Sequence, residues 1–417
     1  MKINRRFAWI LACAALAANL LIGYRVYSNE EVADSESEAL EKLTIMMRVM
    51  HLIRQDYVEG ERTDYQSLIT SAIHGMVANL DPHSSYLEPT DYDDMMEMTE
   101  GQFGGIGIIV TVRDGILTVV SPIEDTPGSR AGLRAGDRII EIDGEATQDM
   151  WLQDAVHRMK GEPGTEVDLV IYRPSEDREI DVTIVRDIIQ VASVKGTRML
   201  VDGIGYVRVT QFNEQAAADL GKAIEELMEQ GAESLVLDLR NNPGGLLNGA
   251  VDMCGYFLPP QSLVVSTEGR RKSQKLEFRT VAQSVRFEGP LTILVNGGSA
   301  SASEIVAGCL KDQERAMLVG EKTFGKGSVQ NVIPLPDGSA LRLTTAMYYT
   351  PERQVIHEKG IDPDIVVEMG LAEQETLQNA RMEALKNGGD LDYTQDPQLK
   401  RAVETLQSYS RFQAKEM

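Results

Sequence analysis

Residues 291–310 read LTILVNGGSASASEIVAGCL: an apolar run, a turn of glycine and small polar residues, and a second run of small and apolar residues. The first run, Leu291–Val295, has the length and β-branched content of a buried strand, and the second, Ala302–Leu310, has the composition of a helix. The Asn296-Gly297-Gly298 segment between them marks a tight turn. This order predicts a strand–turn–helix unit in an α/β sheet that is covered on both faces.

The same alternation of strand and helix extends in both directions from this stretch, which predicts βα crossovers and a largely parallel sheet over residues 188–370. The predicted strands are Ile204–Val209, Ser234–Leu239, Leu263–Ser266, Leu291–Val295, Ala316–Val319, Val329–Leu335 and Leu341–Ala346. The predicted helices are Gln215–Gln230, Leu246–Phe257 and Ala302–Leu310.

Composition and charge exclude several classes of protein. The chain has 417 residues, of which 42% are hydrophobic and 25% charged, as expected of a globular protein with more than one domain. Its 41 basic and 64 acidic side chains give a net charge of −23, and such a surface repels nucleic acid. The three cysteines, Cys13, Cys254 and Cys309, are too scattered for a disulfide framework or a zinc site. We therefore expect no metal, no cofactor and no nucleic-acid partner.

The N-terminus has the pattern of an export signal. Lys2, Arg5 and Arg6 precede an uncharged run over residues 7–24, and an acidic stretch follows. Residues 1–28 are therefore predicted to be a membrane anchor or a cleaved signal peptide, with the rest of the chain exported. Lipid attachment at Cys13 is a third alternative.

Two further regions precede the sheet domain. Residues 35–96 contain two amphipathic helices, Ala39–Tyr57 and Tyr65–Leu80, and form a helical region that is a candidate for dimerisation. Residues 97–187 contain five or six short strands and one helix, and the segment 131–140 (AGLRAGDRII) resembles that of a bacterial, protease-associated PDZ domain. Residues 371–417 are polar and helix-prone, and we expect a C-terminal helical tail.

Ser301 is the candidate nucleophile, because a sharp strand–turn–helix exposes one serine at the start of a helix. An alternative is purely structural: Ser301 and Glu304 also form the pattern of a capping box. A serine nucleophile needs a base, and His357 is the only histidine of the βα domain. A pairing of Ser301 with His357 therefore stays open beside the alternative of a lysine base.

The lysine alternative is Lys326, in the segment 323–330 (TFGKGSVQ). On a strand entry, Lys326 and Gln330 project to the same face. Lysine acts as a base only when neutral, which requires burial, and the neutral amide of Gln330 can hold the amine without adding charge. The segment also approximates a phosphate-binding loop, but Gly327 replaces the required hydroxyl and a strand pattern follows where a helix must begin.

The turn over residues 238–245 (DLRNNPGG) follows an apolar strand and opens a helix. Its backbone N–H groups are candidates for an oxyanion hole, with Gly244 or Gly245 supplying one donor and Ala302 the other. An ordinary strand-to-helix turn is the alternative.

These segments, together with LDPHSSYL at 80–87 and Gly104-Gly105-Ile106-Gly107, resemble the carboxyl-terminal processing peptidases in the same order along the chain. The resemblance implies an α/β multidomain protein, with a ClpP/crotonase-like protease core, an inserted PDZ-like domain and a helical N-terminal region. It implies a serine endopeptidase that cuts near the C-terminus of exported proteins, with Ser301 as nucleophile, Lys326 as base and Gln330 orienting the lysine, and with no metal or nucleotide.

The resemblance also implies how substrate is selected. The N–H groups of Gly105, Ile106 and Gly107 would receive a terminal carboxylate, and the following strand would add the peptide as an extra strand. In the family this module gates the site, and Arg158 or Lys160 are candidates for that communication. The expected location is the bacterial periplasm or the extracytoplasmic face of the inner membrane, with N-terminal membrane contact and a homodimer. The competing hypothesis is a non-catalytic exported scaffold that binds protein C-termini.

Overall fold

The computed structural model describes residues 39–60, 63–113, 115–123, 125–134, 136–148, 150–201, 203–386 and 389–416. The predicted leader, residues 1–28, lies outside these ranges. Within them, no helix has both the length and the apolar composition needed to cross a bilayer. The chain divides into two compact units between Tyr86 and Leu87.

The N-terminal unit contains the two helices that the apolar periodicity predicts. The first covers residues 39–56 (α1), and the second is Tyr65–Ala78 (α2). The carboxylate of Asp64 accepts a 2.9 Å hydrogen bond from the N–H of Ser67 and so caps α2. Most large apolar side chains of α1 are exposed to solvent. They are Leu40, Leu43, Ile45, Met47, Val49 and Leu52.

The first part of the second unit is a small β-rich module. Its main sheet has the order β3-β4-β5-β7-β8, and the strands that enter and leave the module, β2 and β9, pair antiparallel. The strands are β1 Ser85–Leu87 (at the division), β2 Gln102–Gly105, β3 Ile108–Arg113, β4 Ile116–Pro122, β5 Arg138–Ile142, β6 Glu145–Ala146, β7 Glu166–Arg173, β8 Arg178–Val185 and β9 Asp187–Gln190. The helices are α3 Pro89–Glu100, α4 Pro127–Arg130 and α5 Leu152–Met159.

The second part is built on a six-stranded sheet of order β10-β11-β12-β15-β16-β19, in which every pair except β10–β11 is parallel. A second sheet has the order β17-β18-β13-β14 within this unit. The strands are β10 Val194–Val201, β11 Ile204–Val209, β12 Ser234–Asp238, β13 Leu263–Gly269, β14 Leu276–Arg279, β15 Leu291–Val295, β16 Met317–Gly320, β17 Ser328–Pro334, β18 Ala340–Tyr349 and β19 Ile365–Val366. The helices are α6 Ala216–Glu229, α7 Leu247–Gly255, α8 Ala302–Asp312, α9 Leu371–Lys386 and α10 Pro397–Glu416, with short 3₁₀ turns at Lys272–Gln274 and Tyr393–Gln395.

Alternation of side chains along the central strands explains how the six-stranded sheet is covered. Leu235 and Leu237 of β12 pack in the core that contains α6, α7 and α8, whereas Val236 packs in the core that contains α10. All five residues of β12 are buried, which accounts for its continuous apolar sequence. Within the described part of the predicted tail, Leu371–Lys386 and Pro397–Glu416 are helices, and α10 is an integral layer of this domain because its apolar face covers the sheet.

The α/β multidomain architecture expected from the sequence is confirmed. The prediction of one largely parallel sheet for the core is wrong in part, because β13, β17 and β18 form a second sheet in which they pair antiparallel. Strand β3 begins at Ile108 and not earlier, because Gly107 has a φ of +72° and interrupts the extended backbone. Helix α3 was not predicted, since its acidic sequence has no buried residue and hence no apolar stripe. Strands β12 and β15 end at the same sheet edge, which places the turn after each strand side by side.

A buried ion cluster joins α10 to the turn after β12. The guanidinium of Arg240 donates to both oxygens of Asp238, at 2.9 and 2.7 Å, and to both oxygens of Asp396, at 3.0 and 2.8 Å. All three residues are buried. Burial alone would raise the pKa of Asp396, but the charge and hydrogen bonds of Arg240 outweigh it, so the pKa lies below its usual value.

We predict that Asp396→Asn destabilises the protein by about 3–5 kcal/mol, because it leaves part of a buried arginine charge unpaired. The measurement is urea unfolding, with Glu404→Gln on the exposed side of α10 as control and an expected change within about 0.5 kcal/mol. Since folding lowers the pKa of Asp396, its contribution is complete above the unfolded value of about 3.9 and is lost as the pH falls through the folded value. Equal stability of the two variants at pH 7 would contradict this role.

Candidate active site

Ser301 lies in a strained turn between β15 and α8. Its φ of +55° and ψ of −113° are far from the regions that a non-glycine residue prefers, at a cost of about 1–3 kcal/mol. The side chain is half-buried, and α8 begins at the next residue. A sharp, strained strand-to-helix turn is the local geometry that exposes a nucleophilic serine.

The predicted oxyanion turn packs directly against this serine. The N–H of Ala300 donates to the carbonyl of Asn242 at 3.0 Å, and the hydroxyl of Ser303 donates to the same carbonyl at 2.9 Å. Gly244 has a φ of +97°, and a Cβ there would lie 2.6 Å from the carbonyl oxygen of Ala300 and 2.8 Å from the nitrogen of Ala302. Only glycine therefore fits at position 244.

The hydrogen bonds distinguish between the two glycines as oxyanion donors. The N–H of Gly244 donates to the side-chain oxygen of Asn242 at 2.9 Å. The N–H groups of Gly245 and Ala302 have no hydrogen-bond acceptor among the residues that the structure describes. Gly245 and Ala302 are thus the two amides that remain available to an incoming anion.

Lys326 is half-buried immediately before β17. Burial is the main cause that lowers the pKa of its amine, and the nearby positive charge of Arg342 lowers it further, while the negative charge of Glu304 opposes both. The lowered pKa increases the neutral fraction that can accept a proton. Arg342 was not recognised from the sequence, because its proximity depends on the pairing of β17 with β18.

Gln330 lies on β17 with its amide nitrogen fully engaged. This nitrogen donates to the hydroxyls of Ser328 at 3.0 Å and Thr344 at 3.1 Å, so the side chains of Ser328 and Gln330 lie on the same side of β17. The Oε1 atom of Gln330 is buried and has no hydrogen-bond partner within the described ranges. A buried acceptor of this kind is costly unless it is satisfied, and an amine is a suitable donor.

One buried carboxylate joins the two predicted catalytic segments. Glu304 Oε2 accepts hydrogen bonds from the backbone N–H of Ser301 at 2.9 Å and of Lys326 at 2.8 Å. Its Oε1 accepts from the Thr323 hydroxyl at 2.6 Å and the Gly325 N–H at 2.7 Å. The Ser-x-x-Glu pattern signalled the first of these contacts, but its reading as a helix cap missed the contacts with residues 323–326.

The backbones of Ser301 and Lys326 are therefore brought together, but the structure shows no hydrogen bond between Ser301 Oγ and Lys326 Nζ within the described ranges. The alternative base, His357, also comes close to this region. A Cβ at Gly327 would lie 2.2 Å from the backbone nitrogen of His357. The described residues contain no group of three or more His, Cys, Asp or Glu side chains placed to hold a metal ion.

The predicted carboxylate-binding loop follows β2. The carbonyl of Ile106 accepts from the Gly128 N–H at 2.6 Å, and that of Gly107 accepts from the Ile123 N–H and the Thr126 hydroxyl, both at 2.9 Å. These bonds fix the peptide planes of the loop that contains Gly105, Ile106 and Gly107. Among the strands that the structure describes, the next strand, β3, pairs with β4 alone, and its other edge could accept a peptide strand.

Two family models match the two parts of the second unit. The model of peptidase family S41 matches residues 203–367, and the PDZ domain model matches residues 104–184. A carboxy-terminal-processing protease of Bartonella bacilliformis is 43% identical over 375 residues, covering 89% of this chain and 84% of that protein. A carboxyl-terminal-processing protease of Synechocystis sp. is 37% identical over 393 residues, covering 89% of each.

Among solved structures, a putative S41 protease from Bacteroides fragilis is 16% identical with a TM-score of 0.50, covering 87% of this chain and 97% of that one, which shows a shared fold. The fold and these matches define a serine-type peptidase with a PDZ domain that binds peptide or protein substrates. The chain belongs to peptidase family S41. The enzyme hypothesis is thereby favoured over the non-catalytic scaffold.

We predict that Glu304→Gln lowers kcat by about 100-fold or more, because an amide replaces one carboxylate oxygen with a donor that cannot accept the N–H bonds now made. The reason is loss of the alignment between residues 301 and 326. The measurement is steady-state peptide hydrolysis, with circular dichroism to verify folding and Glu314→Gln, an exposed change beyond the end of α8, as control. A folded Glu304→Gln protein with wild-type kcat would contradict the alignment role.

Proposed function

We propose that this protein is an endopeptidase that recognises the C-terminal tail of exported proteins through its PDZ domain and cleaves near that terminus with a serine–lysine dyad. The observation that carries the proposal is the contact made by the Glu304 carboxylate. It accepts hydrogen bonds from the backbone N–H groups of both Ser301 and Lys326 and so holds the two segments together. Further support comes from relatives named carboxyl-terminal-processing proteases, which cover most of the chain.

In the proposed reaction, Ser301 Oγ attacks the substrate carbonyl while neutral Lys326 removes the hydroxyl proton. Lys326 then donates that proton to the leaving amine, and an activated water releases the acyl group in the second half of the cycle. Gln330 accepts a hydrogen bond from the lysine amine through its buried Oε1. The N–H groups of Gly245 and Ala302 stabilise the oxyanion, and Gly244 shapes the turn.

Selection of the tail is assigned to the PDZ domain. The N–H groups of Gly105, Ile106 and Gly107 would bind the terminal carboxylate, and the free edge of β3 would pair with the tail. Lys160 bridges Asp94 and Glu97 of α3, each at 2.7 Å, and so links the PDZ helix α5 to α3. We propose that these ion pairs transmit the binding of a peptide at the β3 edge of the PDZ domain to the rest of the unit. Arg158 is the other candidate for this communication.

The proposed location is the bacterial periplasm or the outer face of the inner membrane, with residues 1–28 as anchor or cleaved signal. The basic-then-apolar-then-acidic pattern of the first 38 residues supports this location. We also propose a homodimer, supported by the exposed apolar side chains of α1. Intact mass of the protein recovered from cell fractions tests the leader, and sedimentation velocity tests the dimer. A full-length cytosolic protein, or a monomer at micromolar concentration, would contradict the respective proposal.

We predict that Ser301→Ala and Lys326→Ala each lower kcat/KM by about 10⁴-fold or more while the protein stays folded. The assay is cleavage of a protein with an apolar C-terminal tail, with mass spectrometry of the products. Lys322→Ala, which removes an exposed lysine four residues earlier, is the matched control and should retain activity.

Other outcomes separate the alternatives. An active Lys326→Ala protein combined with an inactive His357→Ala protein would replace the lysine base by histidine. A wild-type protein that binds the tail without cleaving it would support the scaffold. Amidation of the substrate C-terminus should weaken cleavage, since it removes the carboxylate that the PDZ loop would bind.

A further inference from the structure

Phe324, two residues before the proposed base, is exposed in a way that the fold does not explain. Its side chain is 62% exposed. The other phenylalanines with described side chains, at 103, 212, 257, 278 and 287, are buried or half-buried. A large aromatic ring held in water forgoes the burial that stabilises such residues, and an apolar surface of this kind often marks a contact site.

The backbone that carries this ring is fixed on both sides. The N–H of Phe324 donates to the carbonyl of Ser299 at 3.0 Å. The neighbouring residues, Thr323 and Gly325, both donate to Glu304, at 2.6 and 2.7 Å. The exposed ring is thus mounted on a rigid support, which reduces the entropy lost when it contacts a ligand.

The same bonds place the ring within reach of the scissile bond. Phe324 is hydrogen-bonded to Ser299, and Ser299 is two residues from Ser301, a span of at most about 7 Å. An extended substrate advances about 3.3 Å per residue. The backbone of Phe324 therefore lies within a few substrate residues of the carbonyl that Ser301 attacks.

We propose that Phe324 forms an apolar wall for the side chain of a substrate residue that flanks the scissile bond, and so sets a preference for an apolar residue there. This inference rests on the proposed peptidase function. The occupant is the substrate chain itself, because the backbone that carries the ring is hydrogen-bonded to Ser299, two residues before the proposed nucleophile, and lies two residues before the proposed base. Contact with the PDZ domain or with a second copy of the chain are the competing occupants.

The experiment uses the full chain and two sets of peptides with the same apolar C-terminal tail. Each set carries leucine or alanine at one of the two positions that flank the cleaved bond. The readout is the ratio of kcat/KM for leucine over alanine at each position, in wild type, Phe324→Ala, Phe324→Leu and Leu276→Ala. Leu276 is the matched control, because it is an exposed apolar residue on β14, three strands from β17 in the same sheet.

We expect Phe324→Ala to lower the leucine-to-alanine ratio about tenfold at one flanking position, as typical for the loss of an apolar contact in a specificity pocket. Phe324→Leu should restore most of the ratio, and Leu276→Ala should keep it. An unchanged ratio in Phe324→Ala, with wild type active, would overturn the inference. If the unchanged ratio is accompanied by weaker tail binding, the ring contacts the PDZ domain instead. If it is accompanied by an altered sedimentation coefficient, the ring contacts a second copy of the chain. A wild type that cleaves none of the peptides would instead overturn the proposed function.

Discussion

The buried carboxylate of Glu304 is the constraint on which the geometry of the site depends. It lies in the first turn of α8, and its two oxygens accept four hydrogen bonds that link the turn of the proposed nucleophile to the segment of the proposed base, residues 323–326. A fully buried carboxylate is stable only when its lone pairs are satisfied, so the folded state strongly favours the arrangement in which both segments meet. The local strain of Ser301 is offset by bonds of this kind.

The sheet positions this constraint, because β12 and β15 are adjacent and parallel, so that their following turns meet at one edge. The Arg240 cluster extends the support to the opposite layer, since it joins the last residue of β12, Asp238, to the residue before α10, Asp396. The turn over residues 238–245 therefore packs against the start of α8 and is also held by the buried ion pairs of Arg240. A rigid turn is required if its amides are to stabilise a developing anion without reorganisation.

Contiguous patterns made much of this site predictable from the sequence. Ser301, Lys326 and Gln330 were proposed from short segments whose strand or turn character is local, and the bounds of β11 and β15 agree with the structure. The Arg240–Asp396 bond spans 156 residues, and no local pattern signals it. The packing of α10 against the sheet was not predicted. Its apolar residues have the i, i+3, i+4, i+7 spacing of a buried helix face, but they are few within a polar segment; they are Leu399, Ala402, Val403 and Leu406.

Catalysis by the proposed serine–lysine dyad requires that the amine of Lys326 loses its proton more readily than that of an ordinary lysine. The most direct measurement is an NMR titration of ¹³C-labelled lysine in the full chain, with the Lys326 signal assigned by Lys326→Arg. The pKa should lie below the usual 10.5, since burial and the charge of Arg342 disfavour the ammonium, and Arg342→Met should move it upward. A pKa at or above 10.5 in the wild type would contradict the assignment of Lys326 as the base.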